Sequence, residues 1–475
     1  MGSPRGSSAS GEEATPEALL QEARLQAGGA GGGWRGKQRS KLTRNVLLLS
    51  TVSLLTDLSS EMSLTFLPLF LANVLGTKTA VIGLIEGVAD STASLTRLAS
   101  GWLSDVWRAR KGLVVAGYAL SALSKPFLFF AHSWSTALGV RFSDRVGKGV
   151  RTSPRDALLA GSAPVASRGL SFGVHRAADT AGAFLGLLGV ALVVYLTQGG
   201  AADLGELAFR RLVLLAIVPG LLAVGVLSWV REAAQPQAAP GRTGRREEAD
   251  AASAASYRSN GGGAKAALPP RFKLFLAAAG LFSLANSSDA FLLLRTQHLG
   301  LSAVRLALLL AAFNLAYSAI SAVAGGWSDR VGRPTVIRLG WLVYALTYLG
   351  FGLAKSAWQV WPLFGLYAVY YGMAEGTARA LVADLVPDRQ RGTAYGLYST
   401  VVGITALPAS LLAGLVWQGI GGWRGWGAST PFYLGAGFAA AAAALLTASL
   451  RGFKPPREEQ CSEEEDERGR SSASR

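Results

Sequence analysis

Several ionisable residues of this sequence stand inside otherwise apolar stretches, where burial makes each costly and therefore a candidate for function. Across 136–158, Arg141, Asp144, Arg145, Lys148, Arg151, Arg155 and Asp156 fall within an arc of ~140° if the segment is a helix turning ~100° per residue. One face is charged and the other is left for lipid or packing. At ~1.5 Å per residue, Asp144, Arg145 and Lys148 come near mid-depth and Arg155 and Asp156 near one end. Arg145 and Lys148 could contact an anionic or polar substrate, or hold acidic proton sites ionised until a substrate enters. The plain alternative is a fixed ion-pair network, with Asp144 neutralising Arg145 or Lys148. Gly147 and Gly149 would admit a close neighbouring helix under either reading. Lys148 is not a phosphate-loop lysine, because no Gly lies five residues before Gly147 and Gly149 replaces Ser/Thr.

Asp57 and Glu61 are spaced i, i+4 and share a helix face. Two adjacent carboxylates in a low dielectric cannot comfortably both stay ionised, so one could carry a proton. The alternative is pairing with Arg97, Lys148 or Arg176. Glu86, Asp90 and Arg97 lie within ~40° of one another on the next apolar stretch; Asp90 is the candidate cavity residue, and Arg97 could simply neutralise it. His175 and Asp179 share a face, with Arg176 displaced by ~100°. His175 could relay protons near neutral pH, or be a buried hydrogen-bonded histidine. Lys125, before Pro126, is expected to snorkel to an interface or pair with an acid. The second half has fewer embedded charges: Asp289 and Arg295, then Glu375 and Arg379 at i, i+4, which could pair. Tyr317, Trp327, Tyr367, Tyr370 and Tyr371 are cavity or gate aromatics, or ordinary packing.

The elements that must position these residues follow from composition. The 475 residues carry 46 Lys and Arg against 30 Asp and Glu, a net +16, yet 50% are hydrophobic and only 16% charged. A disordered chain is excluded and an ordinary soluble enzyme disfavoured. The apolar content falls into twelve blocks, near 46–72, 80–103, 112–131, 136–158, 169–196, 211–229, 272–295, 303–325, 335–353, 359–382, 393–417 and 430–450, each about the ~20 residues that a bilayer core requires. The fourth, fifth and tenth carry charges. The basic residues alternate between the two sides of the blocks, so the excess positive charge reads as membrane topology, with no nucleic-acid partner. Both termini and the basic loops are expected to be cytoplasmic, with the plasma membrane as the default.

The single cysteine, Cys461, excludes an intrachain disulfide and a multi-cysteine metal site, and the three scattered histidines leave no zinc spacing. No cofactor is expected. Residues 1–44 read as a disordered cytoplasmic leader without a signal peptide, 45–230 as a first six-helix bundle and 231–270 as a cytoplasmic linker. A second six-helix bundle follows over 271–450, then a solvated tail over 451–475. The halves resemble each other: Gly101-Trp102-Leu103-Ser104-Asp105 recurs 224 positions later as Gly325-Gly326-Trp327-Ser328-Asp329. Pro164, Arg168-Gly169 and Phe172-Gly173 recur 223 positions later as Pro387, Arg391-Gly392 and Tyr395-Gly396. Such a near-constant offset implies a parallel duplication about an axis along the membrane normal.

Gly325-Gly326-Trp327-Ser328-Asp329-Arg330-Val331-Gly332-Arg333 resembles the loop motif of the major facilitator superfamily, Gly-x-Leu-x-Asp-Arg-x-Gly-Arg. The first copy keeps Gly101-x-Leu103-x-Asp105, with Val106 and Arg108 at the following Arg and Gly positions. The stretch Asp144-Arg145-Val146-Gly147-Lys148-Gly149-Val150-Arg151-Thr152-Ser153-Pro154-Arg155-Asp156-Ala157-Leu158, followed by His175-Arg176-Ala177-Ala178-Asp179-Thr180, is similar to a prokaryotic-type group of these transporters, often placed loosely with drug exporters. Of the antiporter motif, Gly182-x-x-x-Gly186 is present, with Leu187 where Pro is usual.

The resemblance implies an all-α membrane protein with twelve transmembrane helices in two pseudo-symmetric bundles, working by alternating access. Gly101, Asp105, Gly325, Asp329, Arg330, Gly332 and Arg333, with Arg110 as a substitute in the first copy and Arg155 and Asp156 beside them, would form a gate. Its carboxylates could engage basic side chains or helix N-termini in only one packing of the halves. Asp57, Glu61, Asp90, Asp179 and His175 are the candidate proton-coupling residues. Asp144, Arg145, Lys148, Arg176, Asp289, Glu375 and Arg379 are the candidate substrate-cavity residues. The expected partners are the lipid bilayer, a small-molecule substrate and protons, with a monomeric chain. The leading expectation is proton-linked export by antiport. Symport or uniport of an organic anion is the alternative, because the mid-membrane bases could bind carboxylate or phosphate. A ligand sensor that does not transport is a rival from another class. No nucleophile, base and oxyanion arrangement points to an enzyme.

Overall fold

A computed structural model describes residues 42–107, 110–163, 168–232, 268–387 and 390–450, apart from the side chains of Trp102, Asp105, Val106, Trp107, Arg168, Gly169, Ala322, Asp329 and Gly392. The tails expected over 1–44 and 451–475 and the linker over 231–270 lie almost wholly outside the described residues.

Thr43 caps the first helix by accepting from the Val46 N–H, and α1 (Arg44–Ser63) continues, after a break relieved by Pro68, as α2 (Leu67–Asn73). Then come α3 (Thr79–Trp107) and α4 (Arg110–Ser124), which tightens into a 3-10 turn over Lys125–Phe130 where Pro126 removes a donor. Ser133 caps α5 (Trp134–Ser162). α6 (Arg168–Gln198) and α7 (Glu206–Leu227) complete the first half. The second half repeats the order: α8 (Pro270–Ala285), broken before α9 (Ala290–His298), then α10 (Ala303–Val331), α11 (Arg333–Leu353), α12 (Val360–Leu385), α13 (Arg391–Gln418) and α14 (Thr430–Ser449). Gly332 joins α10 to α11 at φ 94°, a left-handed conformation that favours glycine, which accounts for the glycine of the loop motif at this turn.

Nine helical segments among the described residues are long and apolar enough to cross a membrane. The three remaining long helices, α3, α5 and α12, have 29, 29 and 26 residues. Their charges, and not their length, set them apart. The fifth apolar block, α6, is fully apolar enough over Leu170–Gln198, whereas the second, α3, carries the heavier charge.

In the first half α1 packs on α6 and α7, and α5 lies between α3 and α4. Gly117 of α4 and Gly147 of α5 face each other's carbonyls, and Gly149 abuts Thr96 of α3, so a Cβ at any of the three would collide. In the second half α11 packs on α12 and α14, α10 on α12, and α8 on α13 and α14. The halves meet along two seams, α3 with α13 and α6 with α10.

Two faces can be distinguished. The near face holds the start of α1; the far face holds the turns after α2, α6, α9, α11 and α13. On the far face the halves are tied together: the Ala303 N–H donates to Ala202 O at 3.2 Å, Gln297 Nε2 to Asp203 Oδ1 at 2.9 Å, and the Thr79 N–H to Gln418 Oε1 at 2.9 Å. The α3–α13 seam begins there and runs inward on small residues. Thr79 Oγ1 donates to Gly414 O at 3.0 Å and Ser91 Oγ to Gly403 O at 2.7 Å. A Cβ on Gly83 would strike the Ser410 carbonyl, and one on Gly87 would come within 2.8 Å of Leu407 Cα.

Gly83→Leu should therefore hold the halves apart on the far face. In a chain carrying Asp203→Cys, Gln297→Cys and Cys461→Ser, oxidative cross-linking between the halves should fall about fivefold or more on adding Gly83→Leu, the effect of a shift of about 1 kcal/mol. An unchanged cross-link yield would contradict the seam's role.

Candidate functional site

A cavity of about 470 Å3 lies where α1, α3, α5 and α6 meet α9, α10 and α12, and a second of about 360 Å3 adjoins it toward α13. Glu86, Asp90 and Arg97 of α3, Arg141, Arg145 and Lys148 of α5 and Glu375 of α12 line these spaces, together with Glu61 and Arg176. A wall of this kind solvates charges that lipid would reject.

The first-half wall is built by α1, α3, α5 and α6. Deepest in it, Arg141 donates to Glu86 at 2.5 Å with both side chains almost fully buried. This pair was not among the expected site residues, although Arg141 shares the charged face of its helix and Glu86 that of Asp90. Arg145 comes 3.9 Å from Asp90, so Asp90 is held by α5 and not by Arg97 of its own helix. Lys148 is exposed into both cavities and has no hydrogen-bond or ion-pair partner among the described residues. Glu61 lines the wall and accepts from Thr65 Oγ1 at 2.5 Å, with no cation within ion-pair distance among the described residues. Asp57, one turn away, lines neither cavity. The charges acting on it are Asp179 of α6, then Lys148, Arg151 and Arg155.

Asp144, expected in the substrate cavity, is placed elsewhere. It is buried against α4, accepts from Ser121 Oγ, and has Lys125 as its main opposite charge. Its helix position turns it toward the α4–α5 contact and away from Lys148. Lys125 does not snorkel: it is 2% exposed and donates to Ser59 Oγ at 3.1 Å and Ser60 Oγ at 2.8 Å of α1. Its main opposite charge is Asp144, with no carboxylate within ion-pair distance among the described residues. His175 lies 3.8 Å from Asp179, is buried, and finds no hydrogen-bond partner for either ring nitrogen among the described residues.

The second-half wall is aromatic and acidic. Asp289 stands at the break between α8 and α9, exposed to both cavities, and accepts from Tyr367 Oη at 2.6 Å. Phe313, Tyr317, Tyr367 and Tyr371 line the wall beside it, with Tyr367 and Tyr371 rings 5.3 Å apart and Phe313 5.5 Å from Tyr367. The two walls touch where Arg176 donates to Tyr317 Oη at 2.8 Å and Tyr317 in turn donates to Glu375 at 2.6 Å. Arg176 and Arg379 each lie 4.0 Å from Glu375. Arg295 is not a cavity residue. It clamps the end of α11 by donating to Phe351 O at 3.1 Å and Ala354 O at 2.9 Å. Trp327 is half-exposed away from both cavities.

Of the gate residues, Arg155 donates to Asp156 at 2.8 Å and Arg333 to Asp384 and to Ala380 O. Gly101 of α3 faces Ser153 of α5, whose side chain would lie 3.6 Å from a Cβ at that position. Arg110 begins α4, Gly325 and Arg330 lie in the last turns of α10, and Gly332 forms the turn after it. The side chains of Asp105 and Asp329 lie outside the described residues.

Removing one partner of the Glu86–Arg141 pair leaves a buried uncompensated charge, which costs about 3–5 kcal/mol. Glu86→Gln should therefore lower thermal unfolding in detergent markedly, and the double variant Glu86→Leu with Arg141→Met should recover much of the loss. A double variant no more stable than the single one would show that the pair is not the fixed element.

The Major Facilitator Superfamily model matches residues 49–294 and 274–474. Over 385 residues the chain is 35% identical to an uncharacterized MFS-type transporter of Methanocaldococcus jannaschii, an alignment covering 80% of this chain and 89% of that protein. Multidrug resistance protein 1 of Bacillus subtilis is 29% identical over 154 residues, 32% of this chain and 38% of that one. A solved bacterial homolog of the human lysosomal transporter Spinster, in an inward-facing and occupied conformation, has the same fold at TM-score 0.67 and 15% identity, covering 86% of this chain and 96% of that one. With its family model matched across both halves, and a cavity of embedded charges between them, the chain belongs to the Major Facilitator Superfamily and is a multi-pass membrane transporter, not an enzyme.

Proposed function

We propose that this chain moves a small organic solute by alternating access and couples the movement to protons. The halves expected over 45–230 and 271–450 rock about the central cavity. The observation that supports the coupling most directly is the position of Lys148. Its ammonium faces the cavity without a partner among the described residues, while its charge acts on Asp57 and Glu61. Neither carboxylate has a cation within ion-pair distance among the described residues.

The physics of that arrangement links the two ligands. An anionic group bound at Lys148 screens the ammonium from Asp57 and Glu61, which favours their protonation; a proton on either carboxylate in turn leaves Lys148 freer to hold the anion. Linkage is reciprocal, so proton and anion bind together and travel together. Asp179 and His175 extend the row of ionisable groups along α6, and Asp90, 3.9 Å from Arg145, completes the proposed coupling set. Export by antiport is the second reading. The partial similarity to a Bacillus subtilis multidrug resistance protein supports it, and a cationic substrate would compete with protons for the cavity carboxylates.

The near face carries Arg110, Lys111, Arg231, Arg271, Lys273, Arg330, Arg333, Arg338 and Arg391, which supports a cytoplasmic near face and a plasma-membrane location. Arg155 with Asp156, and Arg333 with Asp384, act there as gate pairs that must re-form when the near side closes.

Proteoliposomes loaded with the pH dye pyranine test the coupling. Matched cationic, anionic, neutral and zwitterionic solutes should include one that drives proton movement, inward with solute for symport and opposite to it for antiport. Asp57→Asn or Glu61→Gln should cut that proton signal about tenfold or more while solute binding persists. Solute uptake with no proton movement would contradict the reading.

A further inference from the structure

Resting on the transport reading above, the geometry points to a dipolar substrate: we infer that the cavity takes a zwitterion bearing an aromatic or similarly flat apolar body, its anionic group on Lys148 and its ammonium on Asp289. The two walls carry opposite poles. The charges acting on Lys148 are Arg145 and Arg151 and the acids Asp57 and Asp144. Of these only Arg145 lines the cavities with Lys148, so an anion arriving from the cavity meets these two bases. Around Asp289 the charge neighbours are Asp90 and Glu86, which face Arg145 and Arg141, so the negative charge that an ammonium meets at this wall is that of Asp289 itself. Lys148 and Asp289 line both the 470 Å3 cavity and its 360 Å3 neighbour, so one small molecule can reach both.

Each pole has open capacity. Lys148 has three donors and no partner among the described residues. Asp289 uses Oδ1 to accept from Tyr367; Oδ2 has no hydrogen-bond or ion-pair partner among the described residues. The contrast with Glu86 and Arg141 is instructive, because those two consume each other and offer nothing to a ligand. Beside Asp289, the rings of Phe313, Tyr317, Tyr367 and Tyr371 form a wall of mutually edge-on and offset faces. Aromatic faces attract both an ammonium and a flat apolar body, and a carboxylate at their edge selects the ammonium. A pure anion would leave Asp289 desolvated and unpaired, and a pure cation would leave Lys148 so. The zwitterion is the class that satisfies both.

Binding to the purified full-length chain, measured by thermal stabilisation and calorimetry, tests this without reference to proton flux. The probes are phenylalanine and phenylalanyl-phenylalanine, two zwitterions of different charge separation, with 3-phenylpropanoate and 2-phenylethylamine as the acid and the amine alone. At least one zwitterion should bind about tenfold or more tightly than either single-charge probe, the factor expected for one charge-assisted hydrogen bond. Lys148→Gln should bring the zwitterion down to the affinity of the amine, Asp289→Asn should bring it down to that of the acid, and Lys148→Arg should keep the preference, with the unliganded melting temperature marking which variants are folded. Equal affinity for zwitterion and single-charge probe, binding of the acid or amine alone, or no binding of any of the four would overturn the inference. Zwitterion binding without proton movement in proteoliposomes would count against the coupling reading and leave this one standing.

Discussion

The structure depends on one constraint: a charge inside the membrane must be paired, or must face a space that can solvate it. The helices α3, α5 and α12 carry charges that lipid would reject, and each turns part of its charged side to the junction of the halves. The apolar helices can then take the lipid-facing positions. The same constraint sorts the charges among themselves. Arg141 with Glu86, Lys125 with its serines, and Arg295 with the end of α11 are closed arrangements that hold helices in register. Lys148, Glu61 and Asp289 face the cavity with capacity unspent among the described residues, and the proposed function rests on them for that reason.

Two seams carry the relation between the halves. Along α3 and α13 the backbones approach closely because small residues face each other, and the far face is closed by hydrogen bonds between the turns. Along α6 and α10 the contact is polar, through Arg176, Tyr317 and Glu375. A seam of small residues can slide or part at little cost in side-chain rearrangement, whereas a charged relay changes partners when the walls move. In the proposed alternating access the first seam would serve as a mechanical joint and the second as an electrostatic one, and the polar seam borders the cavity where a ligand can act on it.

Much of this was legible in the sequence, for physical reasons. Bilayer thickness fixes span length, so twelve blocks could be counted, and helical geometry alone put Arg141, Arg145, Lys148, Arg151 and Arg155 on one face of α5. The duplication showed in the recurrence of Gly101 to Asp105 at Gly325 to Asp329. Partner identity was not legible, because it depends on how neighbouring helices rotate and on depth. Asp90 meets Arg145 of another helix and not Arg97 of its own; Asp144 turns to Ser121 and not to Lys148; Lys125 is enclosed where an interface was expected. Asp289 gains its place from a break between α8 and α9 that no proline or glycine signals, and its Tyr367 partner comes from 78 positions away.

The central claim is that one cavity, bordered by Lys148 and Asp289, opens in turn to each side of the membrane. With Cys461 as the chain's single cysteine, a Cys461→Ser background carrying Asp289→Cys allows a direct measurement. A membrane-impermeant thiol reagent is applied from one side of oriented proteoliposomes and then from the other. The account predicts that position 289 is labelled from both sides and that Gly83→Leu, which disfavours the closed far face, raises labelling from the far side. Labelling from one side only, whatever the seam carries, would contradict it.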